Sequence, residues 1–144
     1  MLRSLAALPI RFMLCAGFLY HGLPLFSGRG HQEFLGTLKN LGVPAPAVAS
    51  YLVPVIEVGG AIAFLLGAFV VVFGALNIVN MLVAMVKVHL PNGFNFVHIT
   101  GMTDKGPTFG MPGYEVNLLY ITLLVSLMLS GAGALSIDAM RKHG

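Results

Sequence analysis

Charged residues are scarce in this chain. Only 9% of its 144 residues are charged while 57% are hydrophobic, and the mean hydropathy is +0.89. Such a composition cannot supply the charged surface with which a soluble domain faces water. At about 20 residues per membrane span, four helices account for residues 1–144. The sequence therefore predicts an integral membrane protein with a single membrane domain and no separate soluble domain.

Two further absences restrict the classes of function. Cys15 is the only cysteine, so no intrachain disulfide can form and we do not expect thiol exchange by this chain alone. The eight lysine and arginine residues are scattered over all polar segments and form no basic stripe. Nucleic acid is therefore not an expected partner, and the basic residues serve topology and lipid headgroups instead.

The apolar segments have the length of membrane-spanning helices. The stretch 47–90 is too long for one span of about 20 residues, and we place its turn at Gly67. The polar stretch 27–46 is predicted to be a loop that could include a short interfacial helix. The fold class is all-α, an integral membrane four-helix bundle with up-down topology and a long loop between helices 3 and 4. The predicted helices lie at about 5–26, 47–67, 68–90 and 114–135.

The first apolar segment follows Arg3, as the apolar part of a signal peptide would follow a basic residue. Its length and Arg11 within it favour a retained helix, in which Arg11 snorkels toward the side of the termini as a structural residue. Lysine and arginine are equally divided between the two sides of the membrane. We place the termini in the cytoplasm, because the terminal charges lie close to the span ends while the turn at Gly67 is neutral.

Glu57 is the most informative residue of the chain. It is the only charged residue between Lys39 and Lys87, and an isolated carboxylate in hydrocarbon costs roughly 2.5–3.5 kcal/mol. Such a group usually faces inward, is paired or neutralised, and serves function. A functional role is favoured, and the alternative is a buried structural hydrogen bond with Asn77 or Asn80.

Other polar residues converge with Glu57 when the helices are placed in an up-down bundle. Glu57 lies about 15 Å below Ala47 at 1.5 Å per residue. His21, His89 and Glu115 lie at helix ends on the same side of the membrane as Ala47. For these three residues, a structural role at the interface, as a helix cap or through the helix dipole is about as well supported as a functional role. The predicted catalytic residues are Glu57, His21 and His89, and the predicted ligand-binding residues are Glu115, Asn77, Asn80 and Asn92.

Helix four carries a separate polar stripe. Glu115, Thr122, Ser126 and Gly133 lie within about 20° of one line at 100° per residue, and small or polar residues usually face neighbouring helices in membranes. We expect this stripe to face the other helices.

Methionine and histidine share one face of helix three. Met81, Met85 and His89 are four residues apart, and thioether and imidazole groups are suitable ligands for copper(I). A methionine stripe usually belongs to the core, however, and nothing else marks a haem pocket for His21 and His89. We therefore predict no metal site, with copper as the less favoured alternative.

Short motifs at the ends of the predicted helices, and one within helix two, span nearly the whole chain. They are His21-Gly22, Leu41 to Pro44, Glu57-Val58-Gly59-Gly60, Val88 to Phe94, Gly113-Tyr114-Glu115, Gly131-Ala132-Gly133 and Ser136-Ile137-Asp138. Together these motifs resemble the DoxX family of small four-helix membrane proteins. Two features depart from the family pattern. Pro24 and Leu25 stand where members often carry a lysine, and the stretch from Phe96 to Met111 looks inserted.

The resemblance implies a redox-linked role in a membrane, without naming a substrate. Some members look like the membrane subunit of a thiosulfate-oxidising, quinone-reducing enzyme, and others resemble accessory components of redox-defence complexes. It also implies partner subunits and a multi-pass location in a bacterial inner membrane.

Two main hypotheses follow for the function. In the first, the chain is a subunit of a quinone-linked oxidoreductase, where Glu57 and a histidine form hydrogen bonds with a bound quinone. No flavin, iron–sulfur or haem motif is present, so electrons would come from a partner subunit or a bound reductant. The rival is a non-catalytic accessory or assembly subunit that packs against a larger membrane complex. A carrier is the least favoured, because no internal repeat is visible.

Overall fold

A computed structural model describes residues 5–143 of the chain, and Arg3 lies outside them. The described part is mostly helical. Its α-helices are α1 (Ala7–Gly22), α2 (Gly28–Asn40), α3 (Pro46–Leu66), α4 (Val70–Ala84), α5 (Glu115–Ser130) and α6 (Ile137–His143). Short helical turns extend α1 over Leu23–Phe26 and α4 over Met85–His89 and Leu90–Asn92, and the strands are β1 (Ile99–Thr103) and β2 (Gly106–Phe109).

Three helical stretches are long and apolar enough to cross a membrane, namely Ala7–Phe26, Pro46–Leu66 and Val70–Asn92. Helix α5 is apolar but shorter. Large apolar side chains on the outer faces of these helices are exposed, among them Val55 on α3, Val79 on α4 and Leu129 on α5. Water would not stabilise such a surface, whereas lipid tails would. The protein is therefore an integral membrane protein whose outer surface contacts the bilayer.

The turn between α3 and α4 lies where the sequence placed it. Helix α3 ends at Gly67, which has a left-handed conformation with φ 63°, and this conformation suits glycine because it lacks a Cβ atom. Phe69 has φ 51° and precedes the first residue of α4. The chain thus reverses within three residues between the two membrane helices.

The long loop before α5 is not without regular structure, which corrects the all-α prediction. Strands β1 and β2 form an antiparallel hairpin, in which Ile99 pairs with Phe109 and Thr103 with Gly106. Every residue of β1 is exposed, so the hairpin lacks the alternation of buried and exposed residues by which strands are predicted from sequence. A two-stranded sheet therefore adds to the helices on the side of the membrane that also holds α2, here called the loop side.

The core lies between α1, α3, α4 and α5. Helix α1 packs against α3 and α5, and α4 packs against α3 and α5. The fully buried side chains at these contacts include Leu14, Phe18, Phe64, Leu124 and Leu127. The rings of Phe18 and Phe64 are 6.0 Å apart between centroids, so aromatic packing joins α1 to α3.

Arg11 connects three parts of the chain on the side opposite the loop side, here called the terminal side. Its side chain is only 3% exposed and does not snorkel. The guanidinium donates to the carbonyl oxygens of Phe64 (2.8 Å) and Leu65 (2.5 Å) at the end of α3. It also donates to those of Ala132 (3.0 Å) and Leu135 (2.7 Å) after α5. Helix ends leave carbonyl groups without helical partners, so Arg11 satisfies them.

Asp138 holds the start of α4 on the same terminal side. Its Oδ1 accepts a hydrogen bond from the backbone N–H of Phe69 (2.9 Å), and its Oδ2 accepts one from that of Val70 (3.1 Å). The Arg141 guanidinium carbon lies 4.8 Å from the centroid of the Phe69 ring, within the range of a cation–π contact. Helix α6 therefore caps α4 from a distant part of the chain.

Candidate functional site

A cavity of about 440 Å³ lies among the loop-side halves of the membrane helices. Helix α2 and the segment before α5 contribute to its wall together with α1, α3, α4 and α5. Apolar side chains make up most of this wall, including Phe18, Val53 and Met81. The charged, hydroxyl, amide and imidazole side chains that line it are His21, Thr37, Glu57, Asn80, Lys87, His89, Asn117 and Tyr120. This combination, an apolar cavity with a few polar groups, is typical of a ligand site.

Glu57 is the buried acidic group of this cavity. Its side chain is 6% exposed, and its Oε1 accepts a hydrogen bond from Asn80 Nδ2 at 2.8 Å. Its Oε2 has no hydrogen-bond partner among the described residues. Buried carboxylate oxygens are nearly always hydrogen-bonded, so a carboxylate oxygen in a cavity without a hydrogen-bond partner needs an explanation.

Gly22 allows α1 to approach Glu57 closely. A Cβ atom at position 22 would lie 2.9 Å from Val58 Cγ2, 3.0 Å from Glu57 Cβ and 3.2 Å from Glu57 Oε2. A larger residue would have to displace α3 or the Glu57 side chain. The His21-Gly22 pair therefore closes one side of the cavity around the carboxyl group.

His89 lies at the loop-side end of the wall that α4 provides. The helix continues from Met85 to His89 as a π-helical turn, and His89 Nδ1 lies 2.9 Å from the carbonyl oxygen of Pro112. Asn92 Nδ2 donates to the Val88 carbonyl oxygen (3.0 Å) and to that of Pro112 (3.5 Å). The extension of α4 is thereby joined to the segment that leads into α5.

The structure brings four of the predicted site residues together at the cavity, namely Glu57, His21, His89 and Asn80. His21 is the most exposed of the four, and its ring packs edge-on against Tyr20 with the centroids 5.4 Å apart. Its position at the end of α1, close to the loop-side surface, explains this exposure.

The other three predicted residues have protein partners and do not line the cavity. Asn77 is fully buried, and its Nδ2 donates to the carbonyl oxygens of Ile56 (3.3 Å) and Phe73 (3.0 Å). The side chain of Asn92 binds backbone carbonyls, as described above. Glu115 Oε2 accepts from the backbone N–H of Phe96 at 2.9 Å. Each of them orders the backbone around the site.

Asn117, Tyr120 and Lys87 line the cavity although the sequence analysis did not select them. Asn117 and Tyr120 are three residues apart on α5 and share a face, which is a signal that the sequence does contain. The Tyr120 ring packs edge-on against Phe18 with centroids 5.3 Å apart. Lys87 was considered only as a charge for topology, although it precedes His89 by two residues.

The structure offers little for a metal ion. Among residues 5–143, no group of three or more His, Cys, Asp and Glu residues could hold one. Met81 and His89 line the cavity but Met85 does not. The π-helical turn at Met85–His89 alters the regular spacing of four residues on which the copper alternative depended.

Comparison with known proteins gives one match. The family model described as DoxX matches residues 6–90, which is more than half of the chain. The matched region contains α1 to α4 and ends just after His89, so Asn117, Tyr120 and the hairpin lie beyond it. No curated protein and no solved structure matches the chain.

Proposed function

Because the chain belongs to the DoxX family, we propose that it is a membrane subunit of a redox-linked complex and that its loop-side cavity binds a quinone-class ligand. One observation carries this proposal. The Oε2 atom of Glu57 is buried and lacks a hydrogen-bond partner among the described residues, in a cavity of about 440 Å³ whose wall is mostly apolar. A ligand with an apolar body and polar oxygens would satisfy both features.

Different residues of the cavity bind different parts of such a ligand. Glu57 forms a hydrogen bond with one ligand oxygen, and His89 or His21 forms one with the other. Asn80 orients the Glu57 carboxyl group through its bond to Oε1. Val83 and Lys87 line the cavity and are also exposed on the outer face of α4, so an apolar tail leaves there into the bilayer.

A quinone carries electrons and protons together, and the chain supplies the protonatable groups. Glu57 and the two histidines are groups that can accept or donate a proton at the ligand oxygens. Electrons come from a partner subunit or a bound reductant in this proposal, as in a thiosulfate:quinone oxidoreductase. The protein is thereby an oxidoreductase subunit that depends on other chains.

The architecture proposed for this function is a single domain over residues 1–144. Helices α1, α3, extended α4 and α5 form an up-down four-helix bundle across a bacterial inner membrane. The termini lie in the cytoplasm, and α2 and the hairpin lie on the opposite side. The packing of α1 and α4 against both α3 and α5 supports the bundle.

A second candidate function is that of a non-catalytic accessory or assembly subunit. The hairpin favours it, because Ile99, Met102 and Phe109 are each more than half exposed on strands that only pair with each other. Such a hairpin could bind a partner chain of a larger membrane complex through its open edges.

A pair of matched substitutions tests the proposed function. Glu57→Gln keeps the shape of the side chain but removes its charge, whereas Glu115→Gln makes the same change outside the cavity. Purified in a mild detergent and titrated without oxygen, the unaltered protein is expected to bind a decyl-tailed benzoquinol. Affinity should fall roughly five- to tenfold in Glu57→Gln, because a quinol hydroxyl donates to the Glu57 carboxylate and hydrogen bonds to charged groups are the stronger ones, and should stay unchanged in Glu115→Gln.

Two results would contradict this proposal. One is an absence of binding by the unaltered protein, and the other is equal affinity in both variants. If native mass spectrometry also showed larger subunits in fixed stoichiometry and no quinone, the accessory function would replace it.

A further inference from the structure

We propose that the loop-side cavity selects the reduced, hydroxyl-bearing form of its ligand, the quinol, over the quinone, and that His89 is the residue that distinguishes them. This inference rests on the proposed function, because it concerns the same cavity and the same class of ligand. It adds a preference between the two redox forms and assigns that preference to one nitrogen atom.

The hydrogen bond between His89 and Pro112 fixes the tautomer of the imidazole. Nδ1 lies 2.9 Å from the carbonyl oxygen of Pro112, and a carbonyl oxygen can only accept. His89 Nδ1 therefore carries the proton and donates. In the neutral ring the other nitrogen, Nε2, then has no proton and is an acceptor.

The Pro112 carbonyl is itself held in place by the surrounding backbone. The N–H of Gly113 donates to the Asn95 carbonyl oxygen (3.0 Å), and the N–H of Tyr114 donates to that of Gly93 (3.1 Å). Asn92 Nδ2 contributes a long second contact to Pro112 O at 3.5 Å. The tautomer of His89 is thus determined by the loop, before any ligand binds.

His89 lines the cavity, and an acceptor nitrogen on a lining residue distinguishes a hydroxyl from a carbonyl. A quinol hydroxyl donates to Nε2, whereas a quinone carbonyl offers only lone pairs and leaves Nε2 without a partner. Sites built to bind a hydroxyl discriminate against analogues that lack it, because a bound analogue excludes water and leaves the acceptor of the site unpaired.

Glu57 does not reverse this preference. An ionised carboxylate accepts only, so its open Oε2 matches a second hydroxyl of the quinol. A protonated Glu57 would donate to one carbonyl of a quinone, but the other carbonyl would still lack a donor at His89. The quinol is therefore the form that matches both Glu57 and His89, in either state of Glu57.

The experiment compares the two redox forms of one compound on the full-length protein. A decyl-tailed benzoquinone and its quinol are titrated anaerobically into the detergent-solubilised protein, and their dissociation constants are measured by calorimetry. We expect the quinol to bind about tenfold more tightly or better. Equal affinities, or tighter binding of the quinone, would overturn the inference while leaving the proposed function intact. If neither form binds, both fail.

His89→Asn separates the tautomer effect from a structural role. The Asn side chain can place an N–H near the position of Nδ1, which retains the bond to Pro112 O, but it has no counterpart of Nε2. The quinol-to-quinone affinity ratio should fall toward one in this variant, because the acceptor of the quinol hydroxyl is lost. His89→Gln provides the second test, because its amide reaches the position of Nε2 without binding Pro112. A ratio unchanged in both variants would overturn the assignment to His89.

Discussion

At the scale of single residues, Arg11 shows how a membrane helix can retain a buried charge. All four of its acceptors are backbone carbonyl oxygens, two at the end of α3 and two after α5. These carbonyls would otherwise be unsatisfied in an apolar environment, where an unpaired polar group is costly. The charge of Arg11 therefore stabilises the ends of other segments.

Arg11→Met should destabilise the protein without altering the cavity. Hydrogen bonds to charged groups contribute about 1.5–3 kcal/mol each in favourable cases, so the free energy of unfolding should fall by about 2 kcal/mol or more. Unfolding in increasing sodium dodecyl sulfate measures this loss. Arg29→Met, at an exposed position on α2, is the matched control and should change stability little. Equal stability of both variants would refute the anchoring role of Arg11.

The site residues differ in how well the sequence revealed them. Glu57 could be predicted to be buried, because one carboxylate in a long apolar stretch has few other possibilities. The shared face of Asn117 and Tyr120 is visible in the sequence, but the direction in which that face points depends on packing, which the sequence does not show. His21 and His89 follow from their places at helix ends, whereas the partner of His89 in the loop could only come from the structure.

At the scale of elements, the contact between α1 and α3 depends on a missing side chain. Gly22 faces Val58 and Glu57 at distances that leave no room for a Cβ atom. Gly22→Ala should therefore separate the helices and cost about 1–3 kcal/mol, which is typical of overpacking. It should also weaken binding of the quinone-class ligand, because Glu57 must shift.

Gly28→Ala is the control for that prediction. A Cβ atom at position 28 would meet nothing within 4 Å, and this glycine is the first residue of a helix. Thermal unfolding in detergent and ligand titration should distinguish the two alanine variants clearly. If both variants were as stable as the unaltered protein, α1 and α3 would not be packed as closely as described.

The start of α4 depends on a carboxylate from another helix. Asp138→Ala would leave the N–H groups of Phe69 and Val70 without their acceptors, and the loss of a helix cap costs about 0.5–2 kcal/mol. Asp104→Ala, in the exposed turn of the hairpin, removes the same charge without a cap. A melting temperature lowered only in Asp138→Ala is the expected result, and equal shifts in both would contradict it.

The polar stripe predicted on α5 shows that polarity alone does not identify which face of a membrane helix is buried. Thr122 and Ser126 are exposed instead of facing the other helices, and Thr122 Oγ1 donates to the carbonyl oxygen of Leu118 at 2.8 Å. A hydroxyl that binds its own helix can face lipid at little cost. The buried face of α5 contains Asn117, Leu124 and Leu127.

At the scale of the whole molecule, the two ends differ in construction. The terminal side is held together by side chain to backbone bonds from Arg11 and Asp138, whereas the loop side contains the cavity around Glu57. The three long membrane helices and the turn at Gly67 follow from hydrophobic length, which the sequence shows directly. The hairpin does not, because exposed strands leave no periodic pattern in the sequence.

The proposed topology predicts that the hairpin and the terminal segment lie on opposite sides of the membrane. In a Cys15→Ser background, Lys105→Cys and Met140→Cys each provide one exposed thiol, since both positions are exposed. A membrane-impermeant maleimide added to intact spheroplasts should label position 105 only, and position 140 should react after the membrane is broken. Labelling of both positions in intact spheroplasts would show that α5 does not cross the membrane, which would contradict the proposed four-helix topology.

The hydrogen bonds of Arg11 also affect the order in which the membrane helices can reach their final contacts. Arg11 leaves the ribosome with α1, but two of its four acceptors, the carbonyls of Ala132 and Leu135, are translated only after α3, α4 and α5. The guanidinium of Arg11 therefore lacks part of its hydrogen bonds while α3, α4 and α5 are inserted into the membrane. Helix α1 therefore gains its full set of Arg11 hydrogen bonds only after the residues that follow α5 have been translated.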